Sequence, residues 1–205
     1  MLRASGLACA RGGRRLFTNL SFELAAGSLL QVQGANGSGK TSLLRIVCGL
    51  LAPEAGEVSW SGRSAAEAGE DYRACIAYVG HLNAVKDELD PAENLRYASR
   101  IAGLAATAAE VDGALVALGL GGTRLPCKLL SQGQKRRAAL ARLKLSGARP
   151  LWVLDEPFSA LDPEGVAVAR SLIEAQLARG GAVIFTTHQE VDFAGRALQR
   201  VALPS

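Results

Sequence analysis

The chain has 205 residues, 49% of them hydrophobic, and a formal net charge of +4. That suits one α/β domain carrying a subdomain, and the mild basicity alone selects no nucleic-acid, nucleotide or membrane partner. Four scattered cysteines (Cys9, Cys48, Cys75, Cys127) with no Cys-x-x-Cys pair argue for reduced core thiols, against a disulfide framework or a metal site. No apolar run is long enough to span a bilayer or act as a signal peptide. Residues 1–33 are expected to be strand-rich, with Leu16, Phe17, Leu20, Phe22 and Leu24 at apolar positions. The strand at 29–33 enters a glycine-rich loop, and a helix leaves it with Leu43, Ile46, Val47 and Leu50 on one face. A turn–strand–turn follows over 53–62, then a strand at 76–79 that ends at Gly80-His81. Asp90-Pro91 opens a helix reaching about Gly103, and the capping box Thr107 to Glu110 opens another, closed by Gly121-Gly122. Ser131 caps a third helix over about 132–145. Its basic residues, Lys135, Arg136, Arg137, Arg142 and Lys144, are expected on a solvated face. Residues 151–154 and 182–185 are short apolar runs of the buried parallel-strand kind, separated by a helix from Asp162-Pro163 to Gly180-Gly181.

The loop at 34–41 reads Gly34-Ala35-Asn36-Gly37-Ser38-Gly39-Lys40-Thr41, with Ser42 after it. This is G-x-x-x-x-G-K-[ST], the phosphate cradle of nucleoside triphosphate sites. Its glycines let successive backbone N–H groups face one anion, and the following helix N-terminus favours negative charge. Lys40 adds a mobile positive charge for the β- and γ-phosphates, and Thr41 a hydroxyl for Mg²⁺. Asp155-Glu156 follows the apolar strand at 151–154. There Asp155 can hold Mg²⁺ and Glu156 can polarise a water against the γ-phosphate. Strand 182–185 delivers Thr186, Thr187 and His188 to its carboxyl end, where ligands of such sheets bind. Ser131, Gln132, Gly133 and Gln134 open a helix with a capping hydroxyl, a second anion-binding end.

In this order the motifs resemble those of the ATP-binding subunits of ABC transporters, over nearly the whole chain. They correspond to Walker A (34–41), the signature (Leu130 to Gln134, similar to L-S-G-G-Q), Walker B (151–155, then Glu156), the D-loop (159–162) and the switch histidine, His188. The resemblance implies a P-loop NTPase fold of the α/β class. It would have a mixed-sheet core over about 1–81 and 146–205, an antiparallel β region near the N-terminus, and a helical subdomain over about 82–145. It implies ATP and Mg²⁺ as ligands and a dimer that sandwiches ATP. Ser131, Gln132, Gly133 and Gln134 would then meet the nucleotide held by the partner copy.

Three positions depart from the family. Arg11 stands where an aromatic usually stacks on adenine, and a guanidinium can also stack on a base. His81 replaces the glutamine of the Q-loop. Gln132 replaces a signature glycine. Tyr78-Val79-Gly80-His81, the loop through Arg45, the Leu-Ser-x-Gly-Gln signature and Arg137-x-Ala-Leu-Ala-Arg142-Leu are similar to the CcmA-type ATPase of bacterial cytochrome c maturation. That resemblance implies haem export or handling, with transmembrane permease partners of CcmB type and CcmC type. It also implies a peripheral location on the cytoplasmic face of the inner membrane and no nucleic-acid partner. Three alternatives stay open: the ATPase subunit of a transporter for another substrate, a soluble ABC-type ATPase of DNA repair or translation, and a standalone nucleotide-binding regulator without turnover.

Overall fold

The computed structural model describes residues 1–193 and 198–204. A β-hairpin opens the chain. Strand β1 (Leu2–Arg11) turns at Gly12 and Gly13, both at positive φ, into β2 (Arg14–Leu24). After β3 (Leu29–Gln33) come α1 (Lys40–Val47), β4 (Ala55–Trp60), β5 (Arg63–Ser64), α2 (Ala65–Ala74) and β6 (Ile76–Val79). The helices α3 (Pro91–Ile101), α4 (Ala108–Ala117) and α5 (Gln132–Lys144) follow. Then β7 (Leu151–Leu154), α6 (Pro163–Ala178), β8 (Ala182–Thr186) and β9 (Leu198–Ala202) complete the chain order. The backbone divides into two compact units, one of residues 1–78, 149–156 and 175 onward, the other of residues 79–148 and 157–174.

The first unit holds both sheets. One is four-stranded in the order β2-β1-β4-β5, with antiparallel pairs. The other is five-stranded in the order β6-β7-β8-β3-β9, with β7–β8, β8–β3 and β3–β9 parallel. This is the expected α/β class, with the antiparallel region as a sheet of its own. Strands β7 and β8 are buried at every residue, because parallel strands are covered on both faces and must be apolar throughout. Leu43, Leu44, Ile46 and Val47 of α1 pack with Leu30, Val32, Val153 and Ile184 in one core. Each such side chain contributes about 1.5–3 kcal/mol on burial. The carboxyl ends of β3, β7 and β8 therefore converge on one edge of the parallel sheet.

Three elements were not expected from the sequence. Helix α2 carries a non-helical residue, Gly69 (φ 52°, ψ −111°), which breaks its periodicity. Strand β5 has only two residues. Strand β9 is an outer strand whose polar Gln199 and Arg200 are exposed.

In the second unit α3, α4 and α5 pack against one another. Each begins with a reciprocal capping box, Asp90 with Glu93, Thr107 with Glu110 and Ser131 with Gln134. Helix α4 ends earlier than expected. Leu118 is its C-cap and Gly119 takes φ 69°, a left-handed stop that precedes Gly121-Gly122.

Of the basic residues of α5, Lys144 is exposed as expected, but the other four turn to neighbouring loops instead of forming a solvated face. Arg136 is 2% exposed. Its guanidinium donates to Gly80 O (2.9 Å), Asn83 Oδ1 (3.2 Å) and Pro157 O (3.4 Å). Arg142 donates to Asn83 O at 3.3 Å, and burial lowers its pKa. Arg137 pairs with Asp162, and Lys135 with Asp87 at 2.8 Å. Loop carbonyls at 80–83 and 157 lie outside any strand ladder, and multi-donor guanidinium groups satisfy them.

Candidate nucleotide site

The phosphate loop has the curled backbone its glycines permit. Gly37 and Gly39 sit at φ 81° and 104°, and Gly39 is the N-cap of α1 with no side-chain cap. A Cβ on Gly34 would fall onto Ser38 Oγ, and one on Gly39 would stand 3.1 Å from Leu16 Cβ. Any side chain at either position would thus fill the cradle or push β2 away. Lys40 Nζ donates to Gly34 O (2.8 Å) and Ala35 O (3.1 Å), so the lysine folds over its own loop. Ser38 Oγ is buried and has no hydrogen-bond partner among the described residues. A buried hydroxyl left in that way fits an anion ligand, since an unmet polar group is costly. Ala35, Asn36 and Gly37 are exposed at the rim, and Ser42 is buried in the first turn of α1.

At the ends of β7 and β8 a hydroxyl–carboxylate network is closed by four residues. Thr41 Oγ1 donates to Asp155 Oδ2 at 2.7 Å. Thr186 Oγ1 donates to Asp155 Oδ1 at 2.8 Å, and Glu156 N–H donates to Thr186 Oγ1 at 2.8 Å. Asp155 is 2% exposed. Thr41 and Asp155 offer a neutral and an anionic oxygen side by side, the hard donor set that Mg²⁺ takes. Glu156 adopts φ 53°. A residue other than glycine held there stores about 1–3 kcal/mol of strain, a feature that clusters at functional sites. His188 Nε2 lies 3.5 Å from Glu156 Oε1, and its side chain is 56% exposed. The Tyr78 phenol is pushed up by burial and then by the Asp155 carboxylate, while Arg45 hydrogen-bonds it and pulls the other way. The structure thus brings Lys40, Thr41, Asp155, Glu156 and His188 together in the first unit.

Arg11 is the exposed last residue of β1, paired across the hairpin with Arg14. The remaining expected site residues belong to the second unit. His81 is exposed just after β6. Ser131 Oγ accepts from Gln134 N–H (3.1 Å), and Ser131 N–H donates to Gln134 Oε1 (2.9 Å). Ser131, Gln132 and Gln134 are exposed. Gly133 is there for space: a Cβ on it would stand 2.7 Å from Ala160 O, and Ala160 is itself at φ 60°.

The model of the ABC transporter family matches residues 17–159. The chain belongs to the ABC transporter family. It is 50% identical over 204 residues to the cytochrome c biogenesis ATP-binding export protein CcmA of Dechloromonas aromatica, covering 99% of this chain and 100% of the relative. To the CcmA of Nitrosospira multiformis it is 49% identical, covering 98% of each. A solved ATP-binding subunit of an ABC transporter superposes with a TM-score of 0.80 at 26% identity, covering 92% of this chain and 79% of that one. This ABC chain therefore falls with the CcmA relatives, and it is an ATP-binding ATPase. Among its described residues no helix is long and apolar enough to cross a membrane.

Two residues of this ABC chain escaped the sequence reading. Thr186 was visible at the end of β8, but nothing in the sequence reveals that its hydroxyl joins Asp155 to the Glu156 backbone. Arg136 sat in a basic run whose charge suggested solvent. An arginine among apolar helix positions, with Ala138, Ala139 and Leu140 buried just after it, was the available signal.

Proposed function

We propose that this chain is the ATP-hydrolysing subunit of a bacterial complex that exports or handles haem for cytochrome c-type biogenesis. It would dock as a peripheral subunit on the cytoplasmic face of the inner membrane, on a permease of CcmB type with a CcmC-type subunit beside it. Full-length identity of about half to relatives named for cytochrome c biogenesis and export supports the cargo class. The division of labour would follow the family, with a nucleotide-binding core over about 1–81 and 146–205 and a helical subdomain over about 82–145.

In this reading the loop at 34–41 holds the triphosphate, and Lys40 charges the β- and γ-phosphate oxygens. Mg²⁺ would be held by Thr41 and Asp155, where it would neutralise charge on the phosphate oxygens. Glu156 positions and deprotonates the attacking water, and His188 contacts the γ-phosphate. Arg11 stacks on the base, and His81 acts in the Q-loop place. Two copies close around two nucleotides, with Ser131, Gln132, Gly133 and Gln134 of each facing the other's ATP. Closure is favoured by phosphate contacts that exist only in the closed state, so hydrolysis reopens the pair.

The observation that carries this reading is Glu156 at a strained backbone angle, 3.5 Å from His188 and next to the Thr41–Asp155 pair. Glu156→Gln tests it. ATP and Mg²⁺ should convert the variant to a stable dimer in light scattering while phosphate release stops. A variant that stays monomeric and turns over at the wild-type rate rejects the reading. Cargo is tested in cells: a strain lacking the chain should lose haem-stained c-type cytochromes, and Lys40→Ala should not restore them.

A further inference from the structure

We infer that Thr186 is a positioning residue for hydrolysis, one that ties the Asp155 carboxylate to the backbone of Glu156. The inference rests on the proposed role of Glu156. Thr186 is fully buried at the last position of β8. Its hydroxyl uses both of its capacities at once, donating to Asp155 Oδ1 and accepting from Glu156 N–H, each at 2.8 Å. The consequences differ at the two ends.

On the Asp155 side, the bond engages Oδ1 and leaves Oδ2 toward Thr41 Oγ1, 2.7 Å away. The two hydroxyls thus hold the carboxylate from opposite oxygens and fix its plane. On the Glu156 side, the bond anchors the N–H of a residue at φ 53°. Such a backbone persists only when its surroundings over-determine it. A relaxed backbone at 156 would swing the carboxylate away from its place beside His188. A β-branched residue suits the task because its χ1 is stiff, so the hydroxyl is aimed before any ligand arrives. Lys40 and the loop glycines are not part of this link. Its loss should therefore reach the chemical step and leave phosphate binding intact.

The experiment compares Thr186→Val, Thr186→Ala and Thr186→Ser in the full chain. Val keeps the shape and removes the hydroxyl, Ala removes both, and Ser keeps the hydroxyl. Three quantities are read: phosphate release at saturating ATP, affinity for a fluorescent ATP analogue in EDTA, and melting temperature. Val and Ala should lower turnover about 10–100-fold, the scale of a small misplacement of reacting groups. Their affinity in EDTA should stay within about twofold of wild type, and Ser should recover most of the turnover. Wild-type turnover in Val, or equal losses of affinity and turnover, overturns the inference. If Val does not fold, the Ala and Ser pair decides by the same criteria. Glu156→Gln is measured beside them. If it keeps turnover, the role of Glu156 itself is wrong. If it loses turnover while Val keeps it, only the assignment of Thr186 fails.

Discussion

Glu156 Oε1 and His188 Nε2 stand 3.5 Å apart, each just beyond the end of one of two neighbouring parallel strands, β7 and β8. The separation is at the outer edge of hydrogen bonding. It lets both groups address one point beyond the strand ends, which a tight ion pair would not. The register explains the meeting. Leu154 lies opposite Phe185, so Asp155 and Glu156 emerge beside Thr186, Thr187 and His188.

His188→Ala should therefore separate chemistry from binding. We expect turnover to fall about 100-fold, the lower range for loss of a positioned proton-transfer or charge-stabilising group. Affinity for ATP should change by less than about threefold, since the loop at 34–41 is untouched. Phosphate release and equilibrium binding of a fluorescent analogue check the two halves. A parallel loss of both would place His188 in ground-state binding.

Ser131 offers a way to separate a helix cap from a phosphate contact. As a cap it exchanges two hydrogen bonds with Gln134. Asp caps a helix about as well as Ser, whereas Ala costs about 1 kcal/mol. Ser131→Asp should thus melt like wild type, and Ser131→Ala should be the less stable of the pair. If Ser131 faces the partner's γ-phosphate, the aspartate sets charge against charge. Then Ser131→Asp should fail to dimerise with ATP and should lose turnover. An aspartate variant that dimerises and hydrolyses normally would reject the sandwich.

These contrasts also mark what a sequence can carry. The phosphate loop, the Asp155-Glu156 pair and the helix caps at Asp90, Thr107 and Ser131 are local, and their spacing alone carries their position. Strands β7 and β8 announced themselves because burial on both faces leaves no polar alternation. Arg136 and Thr186 were hidden for the opposite reason. Their partners lie about 20 to 60 residues away, and only the register of β8 or the packing of α5 brings them together. Residues such as Arg63-Ser64 and Gly69 gave no period to read, being too short or broken by a glycine.

Arg136 should behave as a buried staple. Arg136→Met keeps the length and apolar stem of the side chain but removes every donor. Gly80 O, Asn83 Oδ1 and Pro157 O would lose their guanidinium partner. The bond to Pro157 O is buried and those to Gly80 O and Asn83 Oδ1 are part-buried. An unmet acceptor costs about 1–3 kcal/mol where fully buried and less where water reaches it, so a net loss of about 2–3 kcal/mol is expected. Urea unfolding followed by circular dichroism measures it. The loop at 80–83 should also become more accessible, seen as faster amide exchange there than in α4. A loss below about 0.5 kcal/mol would return Arg136 to the class of surface charges.

Alkaline pH should erode stability in a defined window. Burial pushes the Cys48 thiol far up, and burial followed by the neighbouring Cys48 and Cys75 pushes the Tyr72 phenol up as well. The Tyr72 hydroxyl donates to Val47 O, a bond that ionisation would destroy. Both groups bind their proton more tightly folded than unfolded. Their contribution is therefore complete below the unfolded values, about 8.5 for a thiol and about 10 for a phenol, and is lost as pH rises beyond them. Each group adds a slope of about 1.4 kcal/mol per pH unit once its unfolded form ionises. Denaturant unfolding in reductant at about pH 7.5, 9 and 10.5 should show a plateau and then a steepening fall. Cys48→Ala should be less stable at neutral pH, because a buried side chain is truncated, yet flatter between about pH 8.5 and 10. An unchanged slope in that variant would mean that Cys48 titrates normally in the fold, against its burial beside α1.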